Sequence, residues 1–138
     1  MMGESMLRFL ILCFIFLVAN IAAADEVVLD DRYNGETVQC LEGDNVKIKL
    51  PIRPNVGLTW RLVNLNKTYV NEVQQPKIVE DKVLDINRFE KINKTYSQVF
   101  DLKSLAKGAI KVELFYERES PVKIEPPIRK YQIILEIK

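Results

Sequence analysis

The feature that most constrains this chain is a period of two. Val46, Ile48 and Leu50 alternate with Lys47 and Lys49, and Leu58, Trp60 and Leu62 alternate with Thr59 and Arg61. Val112, Leu114 and Tyr116 do the same against Lys111, Glu113 and Glu117, while Tyr131, Ile133, Leu135 and Ile137 form one face of the last run. Successive side chains of a strand point to opposite faces, so each run sets one face on a core and the other in water. Weaker runs lie at 27–29, 37–41, 77–79 and 96–102, and no segment of ten or more residues carries a 3.6-residue apolar stripe. Tight turns are expected at Glu42-Gly43-Asp44-Asn45 and at Lys107-Gly108. The stretches 51–57, 85–94 and 119–128 read as longer loops, the last with Pro121, Pro126 and Pro127, and long ordered loops are where binding surfaces concentrate. Seven or eight short strands with half-buried faces predict an all-β fold, an antiparallel β-sandwich.

The head of the chain is of another kind. Of its first 24 residues 19 are apolar, and Phe9 to Ala24 is an uncharged run of 16 preceded by Arg8 and ending in Ala22-Ala23-Ala24. A bilayer span needs about 20 apolar residues, and this run ends instead in a small-residue cleavage pattern. Residues 1–24 are therefore expected to be a secretory signal peptide cleaved after Ala24, the alternative being an uncleaved anchor; Glu4 departs from a basic leader unless Met6 is the start. What remains, 25–138, is one domain with a single core. The expected location is outside the cell or in the lumen of a secretory or endolysosomal vesicle, with no stable membrane insertion once the leader is gone.

Charge and composition narrow the function. Lys and Arg number 20 against 19 Asp and Glu, a net charge of +1, and there is no histidine. Nucleic-acid binders need a concentrated basic face, so no nucleic-acid partner is expected. Without histidine the chain lacks the usual general base, Ser-His and Cys-His nucleophile pairs and the commonest zinc ligand. Ser97, Ser104 and Ser120 have no such partner, and Asp30, Asp31, Asp44, Asp81 and Asp85 lack a calcium-loop spacing and read as solvated surface. No enzyme activity, cofactor or metal is expected. Cys13 would leave with the leader, so Cys40 would have no internal disulfide partner; in phase with Val38, it reads as a core residue, with an intermolecular disulfide or a reactive thiol as alternatives. Trp60, in phase with Leu58 and Leu62, reads as core rather than as a ligand-stacking ring.

Three segments resemble the chagasin-type inhibitors of papain-like cysteine peptidases. They are 35–60 (GETVQCLEGDNVKIKLPIRPNVGLTW), 108–118 (GAIKVELFYER) and the terminal YQIILEI. The resemblance implies an immunoglobulin-like sandwich whose three loops at one end plug the peptidase cleft. It assigns Pro54, Asn55, Val56 and Gly57, with Leu58, to the central wedge, Arg118, Glu119 and Ser120 to one flank, and Asn87, Arg88 and Lys91 to the other. Each loop departs from the family pattern. Asn-Pro-x-Thr-Gly becomes Arg53-Pro54-Asn55-Val56-Gly57, the glycine-rich middle loop becomes INRFEKINKT at 86–95, and Arg-Pro-Trp becomes Arg118-Glu119-Ser120. Pro54 and Gly57 retain the residues that fix a turn, one by restricting φ and the other by permitting positive φ. The implied function is a secreted, monomeric, reversible inhibitor of such a peptidase. The alternative is a secreted immunoglobulin-like interaction module whose altered loops bind another protein. Asn66 and Asn93 each begin an Asn-x-Thr acceptor and are expected glycosylation sites.

Overall fold

A computed structural model describes residues 25–81, 94–119 and 126–138. Nine strands lie among them: β1 (Glu26–Leu29), β2 (Thr37–Cys40), β3 (Asn45–Ile52), β4 (Leu58–Val63), β5 (Val70–Glu72), β6 (Lys77–Glu80), β7 (Tyr96–Ser104), β8 (Gly108–Arg118) and β9 (Arg129–Ile137). Two sheets form. In the first the order is β1-β3-β7, with β5 and β6 sharing the far edge of β7; in the second it is β2-β9-β8-β4. The predicted all-β sandwich is the fold, and the strong alternating runs are β3, β4, β8 and β9.

Two details go beyond periodicity. β1 runs parallel to β3 and β2 parallel to β9, so the N-terminal stretch crosses from an edge of one sheet to an edge of the other. A face pattern records which side chains are buried and carries no strand direction, so alternation alone yields no such pairing. β5 was not foreseen, because three residues are too few to show alternation; it pairs with the end of β7, Val70 opposite Ser104. The loop expected at 51–57 is also shorter than read, since Pro51 and Ile52 continue β3 opposite Ser97 and Tyr96.

The facing sides of the two sheets make one core. Val46, Ile48, Leu50, Phe100 and Leu102 of the first pack with Trp60, Val112, Leu114, Tyr131, Ile133 and Leu135 of the second. Cys40 is buried there too, as a free thiol among the described residues. Burial pushes the Cys40 thiol above its ordinary pKa, which disfavours the reactive thiolate. Two residues on the inward face of β7 are polar, Ser104 at its far end and Gln98. Gln98 extends the run of Phe100 and Leu102, and its Oε1 accepts from the backbone N of Trp60 at 2.8 Å while its Nε2 donates to the Trp60 carbonyl at 3.0 Å. β4 is an edge strand, and this amide occupies the place of a missing neighbour's backbone, tying the two sheets together.

Asp44 corrects the solvated reading of the acidic residues. It is only 6% exposed, with Oδ2 accepting from Leu41 N at 2.8 Å and Oδ1 from Asp25 N at 3.2 Å. A turn carboxylate facing unpaired backbone N–H groups is drawn inward by them. Residues 1–24, expected from the sequence to be a leader, and Asp85, Asn87, Arg88, Lys91, Asn93 and Ser120 lie outside the described residues.

Candidate functional site

Strand polarity gathers the predicted loops at one end of the sandwich. β3 ends at Ile52 and β4 begins at Leu58; β6 ends at Glu80 and β7 begins at Tyr96; β8 ends at Arg118 and β9 begins at Arg129. The registers hold these ends level, with Ile52 opposite Tyr96, Tyr96 opposite Glu80, Leu58 opposite Arg118, and Tyr116 opposite Arg129. The structure thus brings Pro54, Asn55, Val56, Gly57 and Leu58 beside Arg118 and Glu119.

The first connection is a single 3-10 turn, Pro54–Val56, closed by Gly57 at φ 71° and ψ 22°. Those are the two residues that the sequence marks as turn-forming, and a side chain at Gly57 would be strained in this left-handed conformation. Val56 projects with about half its surface exposed, and Asn55 is exposed beside it. Leu58 is half-buried and packs against the core, so it serves as the root of the turn.

An aromatic base supports the turn from below. Trp60 is 4% exposed, stacks on Tyr116 at 4.9 Å between centroids, and donates from Nε1 to the Pro51 carbonyl at 3.0 Å. Since Pro51 leads into the turn and Trp60 leads out of it, that bond clamps the two stems together. Arg129 lies above the Trp60 ring, 5.9 Å from the centroid. Next to the turn is an open groove of about 960 Å³ lined by Arg53, Val56, Asp81, Tyr96, Tyr116 and Arg129 among others.

The second pair of stems is tied through Asp81. Asp81 N donates to the Thr95 carbonyl at 2.8 Å, and the Asp81 carboxylate accepts from Ser97 Oγ at 3.0 Å and Lys49 Nζ at 3.0 Å. Burial works to raise the Asp81 pKa, but the Lys49 ammonium and the Ser97 hydroxyl outweigh it and hold the carboxyl below its ordinary value. At the third pair, Ile128 N donates to the Tyr116 carbonyl at 2.9 Å. Glu117, next to Arg118 in sequence, pairs with Arg61 at 2.8 Å. Arg53 and Arg129 escaped the sequence reading, because nothing in a lone arginine announces which surface it joins. The acceptor Asn66 stands at the opposite end, exposed in the turn after β4, its Oδ1 accepting from Thr68 N at 3.2 Å.

No protein-family model matches this sequence, and no curated protein is significantly similar to it. Solved structures share its architecture. The cysteine protease inhibitor EhICP2 from Entamoeba histolytica superposes with a TM-score of 0.68 at 19% identity, covering 85% of this chain and 99% of that one. Amebosin superposes with a TM-score of 0.53 at 16% identity, covering 83% and 100%. The fold is therefore a chagasin-like, immunoglobulin-like sandwich over nearly the whole of both neighbours.

Proposed function

We propose that this chain is a reversible protein inhibitor of papain-like cysteine peptidases, secreted after loss of residues 1–24, which blocks the active-site cleft with the loop end of the sandwich. The observation that carries the reading is the convergence of three strand-pair ends around the Pro54–Gly57 turn in a fold shared with a cysteine protease inhibitor. Pro54, Asn55, Val56 and Gly57 supply no nucleophile, so occupation of the cleft is steric and leaves the peptidase chemically unchanged. The turn is set by Pro54, Gly57 and the Trp60–Pro51 clamp before any partner arrives, and a preordered loop loses little entropy on docking. Arg118 and Glu119 form the adjoining contact. A glycan on Asn66, at the far end, would leave this surface clear.

The test is the residual activity of a panel of papain-like peptidases titrated with the processed product of the full chain, expressed in a eukaryotic secretion host. Reversible inhibition that weakens at least tenfold in Gly57→Ala is expected. A folded protein that inhibits none of the panel would shift the assignment to the interaction module. That second reading is favoured by the chain's own departures, Val56 for threonine and Ser120 for tryptophan, and restoring both would then create inhibition on a competent scaffold.

A further inference from the structure

The arginines of this molecule fall into two groups. Five lie among the described residues, and two of them are paired at short range, Arg32 with Asp30 at 2.7 Å and Arg61 with Glu117 at 2.8 Å. The other three, Arg53, Arg118 and Arg129, have no carboxylate within ion-pair distance among the described residues. All three are exposed, and all three stand at the loop end. Arg53 and Arg129 line the groove beside the turn, and Arg118 faces Leu58 across the β4–β8 ladder. The acid in that groove, Asp81, is already taken up by Lys49 and Ser97.

This grouping has a physical consequence. Arginine is enriched among the residues that dominate binding energy, because its planar fork makes two parallel bonds to a carboxylate. Arg129 has its place fixed by the Trp60 ring beneath it while its N–H groups keep their bonding capacity. Three guanidiniums on one small face, without a carboxylate partner among the described residues, repel one another, and an opposing acidic face relieves that repulsion on contact.

We propose that the loop end recognises an acidic protein surface, its partner presenting carboxylates to Arg53, Arg118 and Arg129. The proposal deepens the inhibitory reading of the same end: the peptidases that this chain inhibits best are those whose cleft rim carries Asp and Glu. A nucleic acid is the weaker match, since the net charge of +1 supplies no extended basic track.

Association rates read this directly. Against a panel of papain-like peptidases graded by rim acidity, the association rate of the processed protein falls about tenfold between low and physiological salt for acidic members. In the triple variant R53Q/R118Q/R129Q the low-salt rate falls about tenfold and the salt dependence flattens. The three side chains are exposed and have no carboxylate partner among the described residues, so the variant is expected to fold, and an unchanged melting curve would verify it. Equal rates and equal salt slopes for the two proteins overturn the proposal while leaving inhibition intact. Should no peptidase be inhibited, amide-shift mapping with a glutamate-rich peptide, a glutamine-rich control and a short oligonucleotide decides the matter separately. Shifts confined to the loop end, specific to the acidic peptide and lost in the triple variant, sustain the acidic partner even as the inhibitory reading fails. No shifts, or a stronger response to the oligonucleotide, overturn it.

Discussion

The two ends of this sandwich are built from the same kind of strand ends and treat their polar groups in opposite ways. At the far end, Asp44 takes up Leu41 N and Asp25 N, Ser104 Oγ donates to the Leu41 carbonyl at 2.7 Å and lies 3.0 Å from that of Asp44, and Gly43 N bonds Ser104 O at 2.9 Å. The C-terminus joins in, with Lys138 N bonded to the Cys40 carbonyl and Glu42 N to that of Lys138. At the loop end the Pro54–Val56 turn has no side-chain cap, Val56 faces outward and three arginines ion-pair nothing among the described residues. A turn whose polar groups point inward serves the fold. A turn whose groups are left outward is available to a partner.

The sharpest way to break that contrast is to remove the far end's central acceptor. Asp44→Ala removes the acceptor of two part-buried backbone donors, Leu41 N and Asp25 N, and bonds to a charged acceptor contribute about 1.5–3 kcal/mol. The expected loss is about 3 kcal/mol in denaturant unfolding, with inhibition by the remaining folded protein unchanged. A stability within about 0.5 kcal/mol of the parent would show that the far end is not organised by this carboxylate.

Two glycines give the next largest effects, one at each end. At Gly108, where φ is 155°, an added Cβ would stand 2.8 Å from Cε1 of Tyr69, so Gly108→Ala must displace a packed ring. About 2 kcal/mol of stability should go, with no change in binding, as overpacking of this kind typically costs about 1–3 kcal/mol. Gly57 at φ 71° meets nothing within 4 Å, so Gly57→Ala costs only about 1 kcal/mol of left-handed strain. Its effect should instead appear in the inhibition constant. If both variants lose stability and neither loses inhibition, the functional distinction between the ends fails.

Burial of Cys40 makes a smaller prediction about the far half of the core. At 5% exposure and with its pKa raised by burial, the thiol should resist iodoacetamide in the native protein and react fully once denatured. Mass measurement before and after unfolding reads this, and rapid native alkylation would place the thiol at the surface.

Much of this was legible in the chain because each strong strand has one wet face. Val46, Ile48 and Leu50 alternate with lysines, and the three are at most 1% exposed. Pro54 and Gly57 were equally plain, since a fixed φ and a positive φ define the turn they occupy. What escaped depends on partners distant in sequence. Gln98 looks like a surface amide until the edge of β4, 38 residues away, is set against it. Asp44 looks solvated until Asp25 and Leu41 turn their N–H groups towards it. Arg53 and Arg129 acquire meaning only from their shared lack of a carboxylate partner among the described residues, a property of the assembled surface and of no local pattern.

The smallest expected effect lies at the loop end's stem, where Asp81 and Lys49 are the nearest equivalent of the far end's Asp44. The pair is partly exposed, with the Lys49 side chain 44% and that of Asp81 26% accessible, and such pairs contribute no more than about 1 kcal/mol. Because the Asp81 pKa is lowered in the folded protein, its contribution is present above the ordinary carboxylate value of about 3.9 and is lost as pH falls through the folded value. Lys49→Gln should therefore destabilise slightly at pH 7, and the gap between variant and parent should close as the solution is acidified below about pH 4. A gap that stays constant with pH would mean that Lys49 acts through packing of its methylene stem alone. A gap of several kcal/mol would mean that this end is tied as firmly as the far one, and the difference between a turn that holds the fold and a turn that meets a partner would have to be sought outside the stems, in Val56 and the three arginines.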